Sequence, residues 1–144
     1  MRALLDINVM IALLDPDHAF HDKAHAWWEE NHHLGWASCP LTENGTVRIM
    51  SSTGYSREIQ FTPGELIEQI RLFSTHTDHA FWQDSVSLRD EAIFAGDLIH
   101  SSRQLTDLYL LALAVAHKGR LATFDGKIPL TAVRHAKEKN LCLI

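Results

Sequence analysis

Four acidic residues sit where a fold could put them to chemical use: Asp6, Glu43, Asp107 and Asp125. Asp6 closes the apolar run Ala3-Leu4-Leu5, and Asp125 follows Leu121-Ala122-Thr123-Phe124. Runs that are apolar on both faces suit strands covered on both sides. In an open α/β sheet, ligands collect beyond the carboxyl ends of such strands. Glu43 falls in the first turn of a helix that follows a short strand and Pro40. Asp107 opens the most apolar helical segment, Gln104 to His117, where Leu108, Leu111, Ala112, Val115 and Ala116 repeat with helical spacing. A single carboxylate at a helix start needs no special explanation, because the helix dipole favours it by roughly 0.3–1 kcal/mol. Several carboxylates brought together repel one another and raise one another's pKa values. Hard divalent cations relieve that repulsion, and all-oxygen ligation suits Mg²⁺ or Mn²⁺. Spacing alone leaves both readings open: ordinary acids at strand ends and helix starts, or one metal centre.

Alternating elements must position these acids. A strand over Arg2–Asp6 leads into a short helix over Val9–Leu14, which Pro16 ends. An amphipathic helix over His18–Asn31 is anchored by Ala24, Trp27 and Trp28. A strand over Leu34–Ser38 and a helix over Leu41–Met50 follow, then a loop over Ser51–Phe61. Thr62-Pro63-Gly64-Glu65 carries a helix start, with Thr as cap, Pro in the first position and Glu in the third, for a helix running to Ser74. The remaining pattern predicts a weak strand over His79–Trp82, a short helix over Ser87–Phe94 and a polar loop over Ala95–Ser102. The Gln104–His117 helix comes next, then a strand over Arg120–Phe124. A last helix over Leu130–Lys139 and a final strand over Asn140–Ile144 complete the chain. This alternation predicts an α/β fold, a three-layer α/β/α sandwich with a mostly parallel central sheet, as a single domain over residues 1–144.

Composition narrows the setting. The chain has 144 residues, enough for one domain with a real core, and is 46% hydrophobic and 22% charged. No apolar run is long enough for a transmembrane helix, and the N-terminus lacks a secretory pattern, so no membrane association is expected. Cys39 and Cys142 do not make a disulfide framework, so a reducing cytoplasm is the expected location. The net charge of −5 argues against broad electrostatic adhesion to nucleic acid. It leaves room for a nucleic-acid substrate if cations offset an acidic pocket. The ten histidines lie mainly on polar segments without a zinc-ligand spacing, which suits solvated helix faces.

In chain order, four short motifs resemble those of PIN-domain ribonucleases, specifically the VapC toxins of type II toxin–antitoxin systems. Leu4-Leu5-Asp6-Ile7-Asn8-Val9 is similar to the opening strand motif, Cys39-Pro40-Leu41-Thr42-Glu43-Asn44-Gly45 to the second, Leu105-Thr106-Asp107-Leu108-Tyr109-Leu110 to the third and Ala122-Thr123-Phe124-Asp125 to the fourth. The resemblance covers nearly the whole chain. It implies Asp6, Glu43, Asp107 and Asp125 as catalytic, metal-binding acids, with Asn8 orienting Asp6 by hydrogen bonding and Thr123 supplying a supporting hydroxyl. One departure is visible: Ile7 stands where the family often carries Thr or Ser. After the fourth acid the family often shows Arg or Lys with a further polar residue; here Gly126-Lys127 follows Asp125, leaving Lys127 as a candidate phosphate contact.

What the resemblance implies is a Mg²⁺- or Mn²⁺-dependent endoribonuclease that cuts RNA by in-line attack of water, inhibits translation, forms a homodimer and is held inactive by a cognate antitoxin. Trp27, Trp28 and Phe73 are candidates either for a partner surface or for the core. Two other classes are carried beside this one. A phosphatase with a strand-end Asp nucleophile would want a second Asp where Asn8 stands. A PIN-fold module that binds RNA or a partner without cutting is disfavoured by the presence of all four acids.

Overall fold

The computed structural model describes all 144 residues. Five strands form one sheet: β1 (Ala3–Leu5), β2 (Trp36–Ser38), β3 (His79–Phe81), β4 (Arg120–Thr123) and β5 (Leu141–Leu143). Their spatial order is β3-β2-β1-β4-β5, and every neighbouring pair is parallel. The strands are joined through five helices: α1 (Ile7–Leu14), α2 (His21–Asn31), α3 (Pro40–Met50), α4 (Pro63–Thr75) and α5 (Leu105–Ala116).

The strand sequences explain their places. Ala3, Leu4 and Leu5 are all buried, as a central strand with helices on both faces requires. Successive side chains alternate between faces. Leu4, Ala37 and Leu121 join Leu108, Leu110 and Leu111 of α5 on one side. Ala3, Leu5, Trp36 and Ala122 join Val9 and Met10 of α1 and Ile70 of α4 on the other, with Trp27, Trp28 and Phe73 packed against them. This is the three-layer α/β/α sandwich expected from the sequence, with its sheet parallel throughout. Phe73 stacks on Trp36 at 4.7 Å between ring centroids and meets Trp28 at 4.9 Å, so these aromatic groups pack the α2–α4 side of the sheet. No helix is long and apolar enough to cross a membrane.

The caps follow local chemistry. Asp6 is the N-cap of α1, and the Thr62–Glu65 capping box starts α4 as its sequence demands. Helix α2 begins at His21 rather than His18, because His18 Nδ1 accepts the Phe20 N–H at 3.0 Å and holds a turn there. Residues 32–34 form a 3₁₀ turn, so β2 starts at Trp36, after Gly35 at φ 77°. Its positive φ suits glycine, and a Cβ there would lie 2.5 Å from the Arg2 guanidinium.

Two expected helices are absent. Ser87–Phe94 is a series of turns in which Ser87 Oγ accepts the Arg89 N–H and Asp90 Oδ1 accepts the Ala92 N–H. Such local bonds compete with helical ones. Leu130–Lys139 holds only the 3₁₀ turns Leu130–Ala132 and Glu138–Asn140, with His135 at φ 69° between them. The two segments satisfy each other's backbone instead. The Arg134 N–H donates to Ile93 O at 2.7 Å and the Ala95 N–H to Ala132 O at 3.0 Å.

Candidate active site at the carboxyl ends of the strands

The register places Leu5 beside Ala122, so the next residues, Asp6 and Thr123, meet where β1 and β4 end. Asp6 is 6% exposed and both of its oxygens are engaged. Oδ1 accepts the Ile7 N–H at 2.7 Å, and Oδ2 accepts the Thr123 hydroxyl at 2.8 Å. Thr123 Oγ in turn accepts the Asp125 N–H at 3.1 Å, and Asp125 Oδ1 accepts the Lys127 N–H at 2.8 Å. One chain of directed bonds therefore fixes Asp6 and the turn that carries Asp125.

Asp107 enters from the first turn of α5, whose apolar residues pack under the sheet. Asp6, Asp107 and Asp125 line one open cavity of about 350 Å³ together with Asn8, Thr123, Phe124 and Lys127. Burial pushes the Asp107 carboxyl up to about 6, with the charges of Asp6 and Asp125 adding to the shift. Burial also raises Asp6 above its ordinary value. The Thr123 and Ile7 bonds oppose that rise, and the Asp125 charge reinforces it. Asp107 therefore feels the charges of both other acids across the cavity, and Asp6 feels that of Asp125.

Glu43 stands apart from this cavity. It lines a separate groove of about 630 Å³ with Asn44, Val47, Arg48 and Ile67. Its Oε1 accepts the Ser38 hydroxyl at 2.6 Å, and Ser38 Oγ lies 2.7 Å from His79 Nε2. With the Ser38 proton directed at Glu43, the imidazole supplies the proton of the second bond. Burial lowers the His79 pKa, while the Glu43 charge opposes that fall. Ser38 and His79 carried no signal in the sequence. Ser38 sits five residues before Glu43, and His79 lies on the weakest strand, which only the sheet brings beside β2.

Asn8 lines the cavity and is exposed, but it does not orient Asp6. Asp6 turns back onto the start of α1 as its cap, where Ile7 N–H and the Thr123 hydroxyl hold it. Ile7 fills a different need. A Cβ on Gly45 would lie 2.5 Å from Ile7 Cδ1, so Ile7 packs into the notch that glycine leaves in α3.

The donor set fits a hard divalent cation. It consists of carboxylate oxygens with a neighbouring hydroxyl and amide, and two of its acids are raised in pKa by burial and by the charge of neighbouring carboxylates. No three His, Cys, Asp or Glu side chains lie close enough to cage an ion by themselves. Magnesium accepts that arrangement because it keeps several waters and few carboxylates.

A parallel α/β sheet with acids gathered at its carboxyl edge defines an oxygen-lined, cation-compatible site. The model of the PIN domain matches residues 3–134. Ribonuclease VapC44 of Mycobacterium tuberculosis is 46% identical over 147 aligned residues, covering all of both chains. Ribonuclease VapC39 of the same organism is 39% identical over 128 residues, covering 89% of this chain and 91% of its own. The structure of VapBC2 from Rickettsia felis, bound to a DNA fragment from its promoter, superposes with a TM-score of 0.55 at 15% identity, covering 100% of this chain and 98% of the other. The chain belongs to the PIN-domain family, in the group of the VapC ribonucleases.

Proposed function

We propose that this chain is a Mg²⁺- or Mn²⁺-dependent endoribonuclease that hydrolyses RNA phosphodiester bonds and serves as the toxin of a toxin–antitoxin pair. The observation that carries this reading is the pairing of buried, doubly hydrogen-bonded Asp6 with half-buried Asp107 in one polar cavity. Kinship with proteins named ribonucleases supplies the substrate class.

Asp6 and Asp107 would hold the cation, and Asp125 would complete its surroundings. A bound divalent cation supplies charge stabilisation for the phosphate and a lowered pKa for an attacking water. The chain's own residues do the rest. The Ile7 N–H and the Thr123 hydroxyl keep the Asp6 carboxylate in one orientation, so no reorganisation is needed when substrate arrives. The Thr123–Asp125–Lys127 turn fixes the backbone from which the exposed Lys127 can meet a backbone phosphate. Ser38 and His79 fix Glu43 in its own groove, where it contributes a second negative site near the start of α3.

Purified protein should cleave single-stranded RNA only with Mg²⁺ or Mn²⁺, and Asp6→Ala or Asp107→Ala should abolish cleavage while the circular dichroism spectrum is kept. Full metal-dependent cleavage by Asp6→Ala would refute the assignment. The toxin role predicts growth arrest on expression and rescue by a small antitoxin encoded beside it, which the chain would bind as a homodimer. Rescue failing with the neighbouring gene, despite confirmed cleavage, would separate the enzyme from the toxin role.

A further inference from the structure

One aromatic side chain lines the acid cavity, and a second packs against it. Phe124 follows Thr123 directly and lines the cavity with Asp6, Asp107 and Asp125. It also packs against the core on the α1–α2 side, which anchors its ring. Phe20, in the turn between α1 and α2, meets Phe124 at 5.0 Å between centroids with the ring planes 44° apart. Phe20 is 48% exposed.

The turn that carries Phe20 is fixed rather than trailing. Its N–H donates to His18 Nδ1 at 3.0 Å, and the His18 ring lies 5.9 Å from its own. The next residue, His21, bonds Ala12 O of α1 through its ring at 2.7 Å. The Phe20 ring is thus held by a braced backbone against Phe124, the one apolar residue lining a cavity that is otherwise polar or charged. A protein partner covering this point would want a continuous apolar patch, and the cavity interrupts one. An RNA strand wants this mixture: acids that with a cation hold the phosphate, a lysine for the backbone, and a π-face for a base.

Resting on the ribonuclease reading, we propose that Phe20 and Phe124 form a stacking platform for an unpaired nucleobase next to the scissile phosphate. Bases inside an A-form helix are already stacked and cannot reach such a face. The platform therefore selects single-stranded loops or ends over duplex RNA, and it does so without reading base identity, because every base has a π-face.

The test uses the full chain with Mn²⁺ and a single-stranded RNA oligonucleotide whose cleavage position has been mapped. Phe20→Ala should raise KM about tenfold with little change in kcat, as loss of one base stack implies. Phe20→Trp should restore KM, whereas Phe20→Leu, which keeps apolar bulk but no π-face, should not. The wild type should lose the same factor on an oligonucleotide abasic at the flanking nucleotide, and Phe20→Ala should lose nothing more there. Independently of cleavage, 2-aminopurine at that nucleotide should be quenched on binding to Asp6→Asn protein and not to the Phe20→Ala/Asp6→Asn double variant. Unchanged KM in Phe20→Ala, equal losses on intact and abasic RNA, or a variant that loses antitoxin binding while keeping its RNA kinetics would overturn the platform. If the wild type cleaves in an Asp6-dependent way and Phe20→Ala behaves as wild type, the platform alone fails. If the wild type cleaves no RNA with either metal, the ribonuclease reading fails with it.

Discussion

At the scale of single residues, Asp107 bears a visible cost. Its folded pKa of about 6 lies above the ordinary 3.8, so between those values the folded protein holds a proton that the unfolded chain releases. In the absence of metal, Asp107 therefore destabilises the fold above pH 6, and the penalty fades toward pH 4. Asp107→Asn should raise the midpoint of thermal unfolding in EDTA at pH 7.5 and leave it unchanged near pH 4. The gain should be on the order of 1–2 kcal/mol, below the full two-unit equivalent because the side chain stays partly solvated. A stabilisation that grew as pH fell would contradict the assignment of cost to the ionised carboxylate. Thr123 bears a different load, donating to Asp6 and accepting from the Asp125 N–H. Thr123→Val keeps the shape and removes both bonds, so cleavage should fall roughly 10–100-fold with the fold intact, while Thr123→Ser should recover most of it. Steady-state kinetics on a defined RNA would decide.

At the scale of elements, α1 and α3 meet through Ile7 and Gly45. An alanine at a helix interior normally favours helix over glycine by about 1 kcal/mol. Here its Cβ would lie 2.5 Å from Ile7 Cδ1 and 3.0 Å from Cγ1, so Gly45→Ala should destabilise by about 1–3 kcal/mol instead. Ile7→Val, which removes Cδ1, should recover part of that loss in the double variant. A double-mutant cycle by urea unfolding measures the coupling, and additive effects would show that the two side chains do not compete for the notch. Elements were also where the sequence was least legible. The capping box of α4 and the buried strands were plain because local chemistry and apolar runs specify them. Residues 87–94 and 130–139 have helix-compatible composition but find backbone partners in each other, a pairing between segments about forty residues apart.

At the scale of the whole molecule, the sheet order β3-β2-β1-β4-β5 puts the ends of β1 and β4 side by side at the centre, and Asp6 meets the Asp125 turn there. If this edge binds a divalent cation in the native state only, Mn²⁺ should raise the unfolding midpoint of the wild type in proportion to RT ln(1 + [L]/Kd) and leave that of Asp6→Asn nearly unmoved. Calorimetry across a Mn²⁺ series provides the comparison, and equal shifts for both proteins would place metal binding elsewhere.

The sequence by itself determined the α/β class, the strands that are buried on both faces, and the acids that terminate them, because burial pattern and strand-end position are local properties of the chain. It also carried the family resemblance, through four short motifs in order. Only the tertiary structure decided which acids share a cavity. Asp6, Asp107 and Asp125 gather there, whereas Glu43 turns toward Ser38 and His79 on the β2–β3 side. It also set the Ile7 N–H, rather than Asn8, beside the expected Thr123 hydroxyl as a partner of Asp6, and it brought Phe20 against Phe124 across 104 positions. The physical reason is common to all three: side-chain direction at a strand end or helix start depends on what the neighbouring strand presents, and no local pattern encodes that. The helix that opens with Asp107 shows both levels at once, since its apolar spacing was written in the sequence and the company its carboxylate keeps was not.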